Sequence, residues 1–279
     1  MSVPRNDRFG ADAGTRSTVV AARLQSWDVY EHIIRVIEPG SRLVRSAALD
    51  GATSVTVIEL EIALHTGERQ RLVLRRYADD RHHVGLQYRL LEALSVTEVP
   101  VATPRYVDEF THTLVCDYID GEPGHHRTDG EQIASQMART LLRIHRTTPP
   151  DFLRGLGTTL LHGDFWPGNT IWRDDQLVAV IDWEDARVGN PLDDVANTRC
   201  ELSMFFGPAA RAAFTEIYRD SSTTDLSGLP AWDLKAARRP AEQMTTWGLD
   251  DVTLTRLRTG LREFVDHPHA HTGSGPGAD

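Results

Sequence analysis

Lysine is almost missing from this 279-residue chain: Lys235 is the only one, and arginine carries the rest of the positive charge. A P-loop is therefore excluded, because its Gly-Lys-Ser/Thr run needs a lysine to reach the phosphates. Cysteine is scarce as well. Cys116 and Cys200 do not make a disulfide framework, so a reducing cytoplasm is the expected compartment. No run of 18 apolar residues occurs, and Met1 to Thr15 lacks the apolar core of a signal peptide. Neither a membrane span nor classical secretion is expected. The net charge of −10 lacks the basic footprint of a nucleic-acid binder and is compatible with a cationic small-molecule partner. Gly155-Leu156-Gly157 has no third glycine and no flanking strand and helix, so a dinucleotide site is excluded too.

What is present is concentrated in one stretch. Leu161-His162-Gly163-Asp164-Phe165-Trp166-Pro167-Gly168-Asn169 sets His, Asp and Asn at the offsets H-x-D-x-x-x-x-N, and Asp182 follows thirteen residues after Asn169, at the end of an apolar run. Phosphoryl transfer uses this set: one carboxylate for the attacking hydroxyl, and a carboxylate plus an amide for Mg²⁺ on the nucleotide phosphates. A lone H-x-D is also met in a turn with a helix cap, but here the context fits. Pro167 and Gly168 stop a helix. Thr170-Ile171-Trp172 and Leu177 to Ile181 read as two strands joined at Arg173 to Gln176, a hairpin that turns Asp182 back toward the loop. Asp164 is then the catalytic base or orienting group, Asn169 and Asp182 are the Mg²⁺ ligands, and His162 orders the loop by hydrogen bonding.

The rest of the chain reads in the order of a two-lobed protein. Ser17 to Ile37 has helical apolar spacing and stops at Pro39-Gly40. Strands are expected at Leu43 to Leu49, Ser54 to Leu64 and Arg71 to Tyr77, then a helix at Val84 to Leu94, then strands at Tyr106-Val107 and Thr113 to Tyr118. Residues 119–124 shift in composition and read as a hinge. Glu131 to His145 is an amphipathic helix. From Pro191 to about Val265 the chain is mainly helical, with breaks near Gly207-Pro208, Gly228-Pro230 and Gly248. The ends, residues 1–16 and 267–279, read as disordered tails.

These motifs resemble the aminoglycoside phosphotransferase family of choline-kinase-like small-molecule kinases. The matching residues are His162 to Asn169, Ile181-Asp182-Trp183-Glu184, Gly189 to Ala196, and the upstream strand Leu72-Val73-Leu74-Arg75-Arg76. The resemblance implies an α+β, bilobal protein-kinase-like fold. Its N-lobe (residues 17–118) is a small antiparallel sheet with one main helix, and its C-lobe (residues 125–266) is mainly helical. It implies ATP or GTP as co-substrate, Mg²⁺, and a hydroxylated small molecule as acceptor. Asp194 falls where the family anchors the catalytic loop. Arg75 falls where kinases have the phosphate-contacting lysine, with Val73 on the same strand face against the base. Gly51, Thr53 and Ser54 fall where the glycine-rich phosphate loop is expected, although alone they read as an ordinary turn. Backbone contacts to the base are expected from Asp117, Tyr118 and Ile119.

Two departures stand out. Arginine replaces the strand lysine, and Gln87 stands where a helix glutamate usually holds it. Glutamine can orient Arg75 but does not neutralise it. A nucleotide-binding pseudokinase without turnover is therefore the rival from another class, opposed by the intact Asp164, Asn169 and Asp182. A protein kinase is disfavoured: Asp194 follows Asp182 by only twelve residues, and D-F-G and A-P-E are absent. The acceptor should be read by the region after Cys200, which carries no interpretable motif.

Overall fold

A computed structural model describes the backbone of residues 18–49 and 55–267, with side chains from Trp27 onward. Residues 1–17 and 268–279 and the turn holding Gly51, Thr53 and Ser54 lie outside the described residues; His267, placed in the expected C-terminal tail, is described and donates its N–H to the Glu263 carbonyl. The chain divides into two compact units. One comprises residues 1–95, 102–119 and 246–248; the other comprises 96–101, 120–245 and 249–279.

In the first unit, helix α1 (Thr18–Ile37) precedes strands β1 (Arg42–Leu49), β2 (Val55–Ala63) and β3 (Arg69–Tyr77). Helix α2 (Val84–Leu94) and strands β4 (Pro104–Asp108) and β5 (Thr113–Asp117) follow. The strands form one antiparallel sheet in the order β1-β2-β3-β5-β4. Alternation sorts the side chains. Ile58, Leu60, Leu72, Leu74 and Val115 face Tyr30, Ile33 and Ile34 of α1 and make the core. The other face carries Val57, Glu59, Val73, Arg75 and Cys116, because Val57 pairs with Arg75, Glu59 with Val73 and Val73 with Cys116. Desolvation pushes the Cys116 thiol up to about 12, so it stays protonated and unreactive. Helix α2 turns Val84, Gln87, Leu90, Leu91 and Leu94 inward.

The second unit opens with a short strand, β6 (Glu122–Pro123), followed by α3 (Gly130–Arg146), β7 (Thr159–Leu161), β8 (Thr170–Arg173), β9 (Gln176–Val180) and β10 (Arg187–Gly189). Three helices complete it: α4 (Leu192–Ser221), α5 (Leu229–Gln243) and α6 (Asp251–Asp266). The hairpin of β8 and β9 forms as its apolar runs and the turn between them predict, with Asp174 and Asp175 at its turn in left-handed conformation. Sequence alone does not reveal two of its ladders. Strand β6 pairs with β8, so Glu122 and Pro123, inside the expected hinge, belong to the second unit. Strand β7 pairs with β10, across 26 or more residues of chain. At Gly155, beside this ladder, φ is +153 and a Cβ would run into the Val188 carbonyl, so only glycine fits the close backbone approach. Helix α4 is kinked at Gly207-Pro208, where Gly207 has φ 84 and ψ −176. Helix α6 starts at Asp250, whose carboxylate accepts from the Val252 and Thr253 N–H groups. No helix among the described residues is long and apolar enough to cross a membrane.

Candidate active site

The loop between β7 and β8 carries His162, Asp164 and Asn169, and the N-terminal turns of α4 hold its backbone. Asp194 is 1% exposed. Its two carboxylate oxygens accept from the His162 N–H at 2.8 Å and the Gly163 N–H at 2.9 Å. His145 of α3 reaches the same carboxylate at 3.3 Å through Nε2 and accepts from the Tyr218 hydroxyl at Nδ1, 2.7 Å. Burial works against the charge on Asp194, but the hydrogen bonds from His145 and from the Gly163 N–H outweigh it and hold its carboxyl below the usual range. One turn on, Thr198 donates its hydroxyl to the Phe165 carbonyl at 2.8 Å, and Asn197 adds a bond at 3.3 Å. The helix thus grips the peptide groups at positions 162, 163 and 165.

Gly163 has φ +85, and a Cβ there would strike the Asp185 carbonyl and the Arg187 guanidinium. This close approach demands glycine.

His162 is fully buried. Its Nε2 faces the Ile181 carbonyl at 3.0 Å, and the Asp164 N–H donates to its Nδ1 at 3.3 Å. A carbonyl needs a donor and an N–H needs an acceptor, which defines a neutral imidazole protonated at Nε2. Desolvation lowers its pKa and favours the same form. The ring therefore ties the loop to the residue before Asp182.

Asn169 completes the centre. Its Nδ2 donates to the Asp164 carbonyl at 2.9 Å and lies 3.4 Å from Asp164 Oδ2. That bond settles the amide orientation and turns Oδ1 away from Asp164. The Asn169 carbonyl accepts from the Ile181 N–H at 2.9 Å. Asp182 follows in left-handed conformation, φ 68, a strained state for a residue with a Cβ. Asp164, Asn169 and Asp182 are thus joined by short bonds through the Asn169 amide, His162 and Ile181. Asn169 Oδ1 and the Asp182 carboxylate are hard oxygen donors of the kind Mg²⁺ takes. No group of three or more His, Cys, Asp or Glu gathers as a metal cage among the described residues.

The remaining expected residues lie in the first unit. Arg75 stands on β3 opposite Val57 and Leu114, with its guanidinium 5.5 Å from the Tyr77 ring centre. Gln87 is buried, but its amide donates to the His82 carbonyl at 2.7 Å and its oxygen accepts from the Tyr77 hydroxyl at 3.3 Å. Gln87 thus reaches Arg75 through Tyr77, where a direct bond is the simpler expectation. Val73 shares the face with Glu59, which is 7% exposed and ion-paired to Arg45 at 3.2 Å and to Arg71 at 3.5 Å. The Arg71 guanidinium stacks 4.1 Å from the Tyr118 ring centre, and Asp117 accepts from Gln70 at 3.1 Å and Arg105 at 2.7 Å. Ile119 is the last residue of the 102–119 stretch of this unit.

Several site residues escape sequence reading. Arg239 of α5 donates Nη1 to Asp164 Oδ1 at 2.9 Å, from 75 residues away. Arg187 and Lys235 converge on Asp193 at 2.6 and 2.9 Å. Thr198 carries a faint signal, four residues after Asp194 on one helix face. His145 carries another, a histidine on the buried stripe of Leu141, Leu142 and Ile144. Arg239 has none. In the region after Cys200, Trp247 and Glu201 are each 2% exposed, the burial of core side chains.

A kinase-type catalytic loop on this α+β scaffold defines a phosphotransferase that acts on a small-molecule hydroxyl. The family model described as "Phosphotransferase enzyme family" (APH) matches residues 58–157 and 152–234, more than half of the chain. The chain belongs to that family. Solved structures share its fold. The macrolide 2'-phosphotransferase MphH from Brachybacterium faecium aligns with a TM-score of 0.56 and 16% identity, over 90% of this chain and 100% of that one. The ADP-bound aminoglycoside phosphotransferase APH(2'')-Ib aligns at 0.55 and 15%, over 85% and 98%. The streptomycin–ATP ternary complex of APH(2")-IIa aligns at 0.56 and 16%, over 78% and 89%. No curated protein matches the chain.

Proposed function

We propose that this phosphotransferase moves the γ-phosphoryl group of ATP or GTP to a hydroxyl of a small molecule such as an aminoglycoside-like compound, an amino alcohol or a sugar. The bond from the γ-phosphorus to the bridging oxygen of the nucleoside diphosphate breaks. A bond from the acceptor oxygen to that phosphorus forms, and the hydroxyl proton passes to Asp164 and then to water. Asn169 and Asp182 would hold Mg²⁺, which when bound neutralises charge on the phosphates. His162 and Asp194 keep the loop in place. Arg75 contacts phosphate by its guanidinium edge, Val73 packs against the base, and the backbone of Asp117, Tyr118 and Ile119 reads its edge. In this reading residues 17–118 form the N-lobe, 119–124 the hinge and 125–266 the C-lobe, in a cytoplasmic enzyme.

The observation that carries the reading is the bonding of Asp164, Asn169 and the residue before Asp182 into one unit. ADP or GDP release, measured with Mg²⁺ across a panel of hydroxylated acceptors, tests it. Acceptor-dependent release is expected, abolished by EDTA and by Asp182→Asn. Nucleotide binding without turnover on any acceptor, unaffected by Asp164→Asn, would sink it.

A further inference from the structure

Helices α5 and α6 enclose a cleft of about 480 Å³ inside the second unit, and no residue of the catalytic loop lines it. Small-molecule sites span roughly 300–1,000 Å³. Each helix gives the cleft one stripe. Arg258, Leu261, Arg262, Val265 and Asp266 recur at helical spacing on α6, and Leu234, Ala237, Arg238 and Ala241 do so on α5. The floor is apolar and sunk, since Ala237, Pro240, Met244 and Leu261 are all buried. Leu234 and Val265 stand up as walls, 59% and 41% exposed.

The rim is basic and open to solvent. Exposed Arg238, Arg258 and Arg262 line it, with Asp266 as its one carboxylate. Glu242, beside the rim, pairs with Arg238 at 3.6 Å, and Glu263, one residue past Arg262, acts on Arg211. Arg258 and Arg262 have no ion pair among the described residues. The three guanidiniums, less Glu242 and Asp266, leave one positive charge. All the charges on the two helices give the same balance, six basic side chains against five acidic ones, in a chain of net charge −10.

We propose that this cleft binds a free single-chain amphiphilic anion, a medium-chain alkyl carboxylate, one per chain. The alkyl chain lies on the sunken floor between Leu234 and Val265, where it leaves water. The head meets Arg258 and Arg262, one helical turn apart, and a monoanion neutralises the rim. Asp266, a turn beyond Arg262, repels the head and so sets its direction. Arg258 to Asp266 covers about 12 Å of helix, the length of roughly eight to ten carbons. A partner helix fits worse, because stable interfaces need a broad exposed face and here most of the apolar side chains are already buried. Residues 268–279 hold no Phe, Tyr or Trp and no aliphatic side chain larger than proline, so the chain's own end does not supply the apolar body. Occupancy of the cleft does not depend on the phosphotransferase chemistry above.

Isothermal titration of the full chain with monomeric octanoate, 1-octanol and octylammonium tests this. Octanoate is expected to bind one to one and about tenfold more tightly than 1-octanol, with octylammonium weakest. From hexanoate to decanoate each methylene should tighten Kd about fourfold, until the cleft is full. The double variant Arg258→Glu, Arg262→Glu should lose the preference for octanoate and keep 1-octanol. Leu234→Asp, at an exposed wall, should weaken both, and melting curves separate misfolding from lost binding. The proposal is overturned if octanoate does not bind, if 1-octanol binds as tightly, if the double variant keeps the preference, or if many molecules bind per chain. Binding to phosphatidylglycerol vesicles without binding of octanoate also overturns it, and assigns the face to a membrane surface. So does a dimer in sedimentation that the double variant dissolves, which gives the cleft to a second copy.

Discussion

The catalytic loop and the outer face of the β2–β3 sheet carry similar side chains under different rules. In the loop, the polar groups of His162, Asp194, Asn169 and Thr198 are buried and bonded to backbone N–H and C=O groups. On the sheet face, Glu59, Arg45 and Arg71 bond side chain to side chain, and Arg45 remains more than half exposed. A bond to backbone fixes where the chain runs. A bond between two long side chains fixes only their ends, and loses entropy and screening to water. The loop is therefore a rigid geometric device, and the sheet face an adaptable electrostatic one.

Substitutions can break or sharpen that contrast. The largest effect is expected from Asp164→Asn, which should lower acceptor-dependent kcat about a thousandfold, read as ADP release. A fall of only a few-fold would put the loop on a par with the sheet. Asp194→Ala comes next. It strips acceptors from two loop N–H groups and from His145, and should cost about 3 kcal/mol of unfolding free energy in urea titration. A smaller cost than that of Glu59→Ala would reverse the contrast. Arg75→Ala should raise the nucleotide KM about tenfold while moving stability by no more than about 0.5 kcal/mol. An unfolded protein there would show that the sheet face is a rigid device as well.

The smallest effect concerns pH. His162 resists protonation in the folded chain, whereas in the unfolded chain it accepts a proton near its ordinary 6.5. Below that value the unfolded state binds more protons, so stability falls as pH drops through 6.5 and onward to the lowered folded value. His162→Gln should flatten this part of the stability–pH curve relative to the wild type. Parallel curves would mean that His162 does not carry the linkage.

Legibility from sequence followed range. The helix at Val84 to Leu94, the β8–β9 hairpin and the kink at Gly207-Pro208 stand where periodicity and punctuation place them, since each depends on neighbours a few residues away. The pairings of β6 with β8 and β7 with β10 were illegible. Strands of two or three residues have no periodicity to read, and they form only because distant partners are brought beside them. The inward position of Gln87 follows from helical spacing. Its partners, Tyr77 and the His82 carbonyl, do not, because hydrogen-bond choice depends on where the preceding turn happens to lie.

By itself the amino-acid order determined the spacing of His162, Asp164, Asn169 and Asp182, and with it the class of reaction, because those groups lie on one short loop and hairpin whose conformation is set locally. Only the folded chain decided which groups hold that loop and which cation pairs with Asp164. Asp194, Thr198, His145 and Arg239 reach it from three separate helices. The physical reason is that burial and charge pairing are properties of a place in space, and helix packing, which no short run of residues encodes, chooses who shares it.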